Sequence, residues 1–264
     1  MTPVTVTRGD SPLVLAFPHT GTYVPEDIRA RLNDEGRLLR DTDWHINALY
    51  RDLVPGVTAV QANAHRYVID ANRDPVGASL YPGQTTTGLV PETTFDNAPI
   101  WRDGHGPTEA DIADRLAAWH APYHAALKAE LQRVKAIHGV AILYDCHSIR
   151  SVIPWLFDGT LPDLNIGTDM GSTCAAAVEL AVLDRCAASG RSHVLNGRFR
   201  GGWTTRHYGR PAEGLHAIQM ELAQASHLGS EEPPFTLDPD KADALRALLK
   251  PILQDLIDVA PTLA

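Results

Sequence analysis

The stretch Gly139–Ser151 (GVAILYDCHSIRS) limits the fold of this chain more than any other. Val140, Ala141, Ile142 and Leu143 form an apolar, β-branched run of the kind that fills a strand buried on both faces. The run ends in Asp145, Cys146, His147, Ser148 and Arg150. A core strand that delivers an acid, an imidazole and a guanidinium at its C-terminal end opens onto the mouth of a sheet. In open α/β sheets that mouth is where ligands bind. A second stretch has the same form: Leu13–Phe17 (LVLAF) is followed by Pro18, His19, Thr20 and Gly21. Two strand-end histidines, His19 and His147, are thereby candidates to share a metal ion.

The remaining pattern fits a single α/β domain over residues 1–264, with strands and helices alternating. Thr58–Ala62, Ser192–Leu195 and Leu215–Ala223 read as strands, and Arg66–Ile69 is β-prone. Helices are expected within Pro25–Leu39 and over Asp41–Leu53, Glu109–Ile137, Thr173–Ala188 and Lys241–Val259, with a kink at Pro122. Gly77–Gly106, rich in Gly, Pro and Thr, is too long for an ordinary connector and reads as a lid or site wall. The net charge of -9 argues against a nucleic-acid surface. No run of about 18 apolar residues is available to span a bilayer, and no signal peptide is visible. Three cysteines without a CxxC pair suit a reducing compartment, so a cytoplasmic protein is expected. Cys146 beside His147 reads first as a packing residue, not a nucleophile.

Two histidines and one carboxylate make a catalytic zinc site with an open position. Asp43, Glu26 and Asp145 are the candidate carboxylates. Asp43 is equally explained as an acid in the first turn of a helix, and Asp145 as an outer acid that orients a ligand histidine. Glu221, in the strand HAIQMELA, is either a solvated-face residue or a general base in a partly dry site. Arg66 and Arg73 flank Asp70-Ala71-Asn72, while Arg198, Arg200 and Arg206 lie in a Gly-rich stretch. Guanidinium groups grip carboxylates in a bidentate fork, so the set suits a small anionic ligand. P-loop, GxGxxG, GxSxG and HExxH signatures are missing.

Taken in order, PHTG (18–21), DTDWHINALY (41–50), DANRDP (70–75), DCHSIRS (145–151), LFDG (156–159), NGRFRGGWTTRHYG (196–209) and HAIQMELAQ (216–224) resemble the N-formylglutamate amidohydrolase family. The resemblance implies metal-dependent hydrolysis of N-formyl-L-glutamate to formate and L-glutamate, the last step of one bacterial histidine-degradation route. It also implies a mixed central sheet flanked by helices, similar to zinc carboxypeptidases (phosphorylase/hydrolase-like). That larger group carries His-x-x-Glu as its first ligand motif, and here Thr22 stands three residues after His19. The resemblance therefore points to His19, Asp43 (in preference to Glu26) and His147 as ligands of a divalent metal, most often Zn²⁺, with Glu221 as the base. Arg73 and Arg206, then Asn72 and Arg198, are the expected substrate-binding residues. The competing expectations are a metal-dependent amidohydrolase for another N-acyl amino acid or small peptide, and a non-catalytic binding protein for an acidic amino acid.

Overall fold

The computed structural model describes residues 1–78 and 86–264. Seven strands form one mixed sheet: β1 (Val4–Thr7), β2 (Leu13–Phe17), β3 (Thr58–Ala62), β4 (Ala141–Ile149), β5 (Leu164–Gly167), β6 (His193–Leu195) and β7 (Leu215–Ala223). Their spatial order is β1-β3-β2-β4-β7-β5-β6. β1 runs antiparallel to β3, and β5 antiparallel to β7; the other neighbours are parallel. β2, β4 and β7 are buried along their whole length, which accounts for their near-continuous apolar runs.

The side chains of β4 and β7 divide by parity, as the pleat requires. Tyr144, Cys146, Ile218, Met220 and Leu222 pack into one core with α3 (Ile46–Tyr50), α6 (Ala176–Ala188) and α8 (Pro239–Val259). On the other face, Ala141, Leu143, Leu215 and Ala217 meet Tyr123, Leu127, Leu131 and Val134 of α5 (Ala121–His138). Further along the strands that second face becomes polar. Asp145 and His147 on β4 stand in register with Gln219 and Glu221 on β7. The parallel register thus sets a four-residue polar ladder beyond the apolar layer that α5 covers.

Several boundaries differ from expectation for physical reasons. The predicted helix over Asp41–Leu53 forms only at Ile46–Tyr50, because His45 sits in the left-handed region at φ 62°. Asp43 therefore lies on a turn ahead of the helix, not in its first turn. Its N–H is spent on the carbonyl of His19, 3.1 Å away, and the carbonyl of Thr42 is taken by Gln224 Nε2 at 2.8 Å. Arg66–Ile69 is a turn, not a strand. Tyr67, Val68 and Ile69 bury in a satellite core with Leu32, Ile100 and Trp101. The first helical region splits into α1 (Glu26–Arg29) and α2 (Asp34–Arg37). The long one is α4 (Glu109–Arg115), a wide π-turn (Leu116–His120) and α5, with the wide turn just ahead of Pro122. Of the expected Gly77–Gly106 wall, residues 79–85 lie outside the described residues. Among the described residues, no helix is long and apolar enough to cross a membrane.

The Asp43 turn is braced from the segment after β7. Trp44 stacks on Phe235 with ring centroids 4.8 Å apart, and His45 Nε2–H donates to the Phe235 carbonyl at 2.8 Å. His227 Nε2–H donates to the carbonyl of Trp44 at 3.0 Å, and burial lowers the His227 pKa to about 4. An unfolded imidazole titrates near 6.5. Its contribution to stability is then complete above that value and is lost as pH falls toward 4. We expect His227→Gln, which keeps a donor for Trp44, to flatten the fall in unfolding free energy between pH 6.5 and 4. The difference, read by urea denaturation across that range, should be no more than about 3 kcal/mol.

Candidate active site

The cleft opens at the C-terminal ends of the parallel strands β2 and β4. His19, His147, Gln219, Glu221, Asn72, Arg66, Arg73 and Arg198 line it, with Thr86, Thr87, Phe95, Ser148, Ile149, Leu156, Phe199 and Gly202. His19 follows β2 directly, and its carbonyl holds the Asp43 turn beside it. His147 is next to the polar end of β4.

Among the described residues, His19, Asp43 and His147 form the one buried group of three side chains placed to hold a metal ion. Asp43 Oδ2 lies 3.1 Å from His147 Nδ1 and 3.7 Å from His19 Nδ1. Two ligands at about 2.1 Å from a tetrahedral centre stand about 3.4 Å apart; both contacts of Asp43 Oδ2 are near that spacing, and all three donors lie within 4.8 Å of one another. Glu26 is exposed on α1 and takes no part.

The far nitrogen of each imidazole faces a second carboxylate. His19 Nε2 is 2.6 Å from Asp70 Oδ1, and His147 Nε2 is 3.1 Å from Asp145 Oδ1. For His19 this is how a ligand histidine of a metal centre is oriented, its outer N–H donated to an acid. Both outer acids are themselves held. Asp70 accepts from Arg66 Nη2 at 2.6 Å and from the Asn72 N–H at 2.8 Å, and Asp145 accepts from Thr205 Oγ1 at 2.9 Å. Asn72 Nδ2 lies 3.1 Å from His147 Nε2.

Charge supports the same reading. Asp43, Asp70, Asp145 and Glu221 are all buried, against two imidazoles and the guanidinium groups of Arg66 and Arg73. Burial alone would raise the Asp43 carboxyl, but its bonds to His147 and His19 hold it well below the usual carboxylate range. Buried charge is expensive unless paired, and a divalent cation among these donors would add positive charge where the carboxylates gather.

Glu221 stands in register with His147 across the β4–β7 pair. Its Oε2 accepts from Gln219 Nε2 at 3.0 Å, while Gln219 Oε1 accepts from the Gly202 N–H at 2.6 Å. Desolvation pushes the Glu221 carboxyl up to about 8, against the opposing pull of His147. A glutamate on a solvated strand face would show no such burial, so that alternative is set aside: both faces of β7 are buried.

The arginines divide. Arg73 lines the cleft and holds its wall, donating from Nε to the Thr87 carbonyl at 2.9 Å and from Nη2 to Thr87 Oγ1 at 2.9 Å. Arg198 lines it from the Gly-rich loop, with Nε donating to the Leu156 carbonyl at 3.0 Å. Arg206 is not among the lining residues. On α7 (Trp203–Tyr208) it is Thr204, Thr205 and Tyr208 that turn inward. Arg206 instead donates to the Gly201 carbonyl at 3.0 Å and pairs with Asp169 at 3.2 Å. Sequence reasoning passed over Asp70, Gln219 and Thr205. Asp70 was readable only as a turn former; its place in DANR between two arginines is the signal that it is a paired acid. Cys146 points into the opposite core, and burial pushes its thiol well above the ordinary range, as a packing residue requires.

Residues 11–228 match the model of the N-formylglutamate amidohydrolase family. The chain is 45% identical over 253 residues to an N-formylglutamate deformylase of Pseudomonas aeruginosa, covering 95% of this chain and 94% of that one. A Pseudomonas putida N-formylglutamate deformylase is 45% identical over 254 residues, with the same coverage. Among solved structures, an N-formylglutamate amidohydrolase from Ralstonia eutropha JMP134 superposes with a TM-score of 0.80 at 26% identity, covering 100% of this chain and 98% of that one. A gene product of Agrobacterium tumefaciens shares the fold at a TM-score of 0.75 and 18% identity, over 99% of this chain and 96% of that one. On the family match and on likeness that runs almost end to end, the chain belongs to the N-formylglutamate amidohydrolase family.

Proposed function

We propose that the protein hydrolyses N-formyl-L-glutamate to formate and L-glutamate with the help of a divalent metal ion, and that it acts in histidine degradation. The observation that carries the chemistry is the convergence of His19, Asp43 and His147 beside the buried carboxyl of Glu221. The substrate comes from the relatives, named as N-formylglutamate deformylases at 45% identity.

His19 Nδ1, Asp43 Oδ2 and His147 Nδ1 would hold the metal, zinc being the first candidate for a donor set of this kind. Such an ion supplies Lewis acidity to a carbonyl oxygen and brings the pKa of water toward neutrality. Asp70 keeps the His19 imidazole in the tautomer that leaves Nδ1 free to bind. Glu221 accepts a proton as water attacks the formyl carbon, and returns it to the departing amide nitrogen. Gln219 fixes the carboxylate by its bond to Oε2. The substrate's two carboxylates fall to Arg198, Arg73 and Asn72 at the cleft wall. Arg206, bound to Gly201, enters as a support of the loop that presents Arg198.

Formate release from N-formyl-L-glutamate by the zinc-loaded protein should be lost on chelation and restored by Zn²⁺. A fully loaded protein that releases no formate refutes the proposal, and release of another acyl group in its place moves the assignment to a different N-acyl amino acid.

Glu221→Gln should lower kcat by about 10²–10⁴-fold while zinc content, read by atomic absorption, stays at the wild-type level. Asp70→Asn should instead weaken zinc binding by about 10–100-fold in a chelator competition, since it loosens His19 without removing a ligand. Arg198→Ala should raise KM more than it lowers kcat, as expected when ground-state binding is lost.

A further inference from the structure

The turn at 70–73 touches both candidate ligand histidines on their outer sides. Asp70 meets His19 Nε2 and Asn72 lies against His147 Nε2, while the next residue, Arg73, lines the cleft. A short displacement of this turn would move all of these contacts together. The backbone of the turn is held from the π-turn and α5. His124 Nε2 lies 2.8 Å from the Ala71 carbonyl, and His120 Nε2 lies 3.0 Å from the Arg73 carbonyl. A carbonyl can only accept, so each Nε2 carries the proton. The Tyr208 hydroxyl lies 3.0 Å from His124 Nδ1 and 3.2 Å from the His124 carbonyl, and braces the residue from the other side. His120 is the last residue of the wide turn Leu116–His120, and His124 follows one helical turn later, so the two rings share a face. Wide turns of this kind are frequent at functional sites.

A second element grips the same turn from α7. The Thr204 N–H donates to Asn72 Oδ1 at 2.8 Å, and Trp203 packs edge-on against His124 with centroids 4.8 Å apart. Asn72 is thereby oriented with its amide nitrogen toward His147. Burial disfavours the charged form of both histidines: it lowers His124 to about 3 and lowers His120 as well.

We propose that His120 and His124 are positioning residues: through the carbonyls of Arg73 and Ala71 they fix the turn at 70–73, and with it the orientation of His19 and His147 and the place of Arg73 in the cleft. The inference rests on the proposed metal site and substrate. It predicts that removing the donors, with the ring volume kept, loosens both metal and substrate.

The test compares zinc affinity, by competition with a chromophoric chelator, in the wild type and in His120→Phe, His124→Phe and His124→Gln, with circular dichroism and Tm recorded for each. The phenylalanine variants should retain native dichroism and bind zinc about threefold to tenfold more weakly, less than the 10–100-fold typical of a direct outer partner. KM for N-formyl-L-glutamate should rise more than kcat falls. His124→Gln, which keeps an N–H donor, should recover most of the loss. Phenylalanine variants with wild-type zinc affinity and wild-type KM overturn the proposal. If phenylalanine at 124 prevents folding, His120→Phe, which removes the donor to the Arg73 carbonyl, carries the test in the same assay, and an unchanged zinc affinity with an unchanged KM overturns it. A wild type that binds zinc without releasing formate refutes the deformylase reading alone, and the zinc measurement still decides the role of the two histidines. A wild type that binds no zinc overturns both.

Discussion

The site depends on a buried line of alternating acids and imidazoles. Asp70, His19, Asp43, His147 and Asp145 contact one another in that order, at 2.6, 3.7, 3.1 and 3.1 Å. None of the five is more than slightly exposed. Each carboxylate would be costly there without a partner, and breaking a buried pair leaves an uncompensated charge. Every contact in the line therefore constrains its neighbours. The central acid faces both imidazoles through one oxygen, which is the arrangement a shared cation requires.

The surrounding fold reads as a set of supports for that line. β4 supplies Asp145 and His147 two residues apart on one face, and β7 brings Gln219 and Glu221 alongside in register. The turn ahead of α3 gives up helical hydrogen bonds to bring Asp43 under His19. Arg66 compensates Asp70 and also lies over the Phe95 ring, 4.7 Å from its centre, joining the charge network to the cleft wall. The apolar halves of the strands are rigidly packed between α5 on one face and α3, α6 and α8 on the other. Rigid elements hold ligand atoms to the tolerances that a metal site needs.

Much of this was legible in the residues themselves. Strand-then-polar composition located β2 and β4 and their histidines, because a buried parallel strand leaves a near-continuous apolar run and ends sharply at the mouth of the sheet. β7 was legible from alternation, Ile218, Met220 and Leu222 against Gln219 and Glu221, and Leu215–Ala223 forms as expected. Asp43 was legible as a residue but not in its setting. A helical stripe from Ile46 to Leu53 extends the expected helix backward, and nothing local reveals that His45 adopts a left-handed conformation to satisfy Phe235, far along the chain. Arg206 shows the same limit: its company of glycines and cations resembles a ligand loop, and in the fold the short helix α7 turns Thr205 inward while Arg206 pairs with Asp169. Asp70 was hidden because turn propensity and charge pairing leave the same mark on the sequence. Which partner a buried polar group finds is a long-range property, whereas strand burial is a local one.

The central claim is that His19, Asp43 and His147 hold one metal ion between them. An anomalous difference map from crystals of the zinc-loaded protein, recorded at the zinc edge, addresses it most directly. The account predicts one strong peak at about 2.0–2.2 Å from His19 Nδ1, Asp43 Oδ2 and His147 Nδ1. A peak bound by other side chains, or none at this site in crystals of protein that carries stoichiometric zinc in solution, would contradict it.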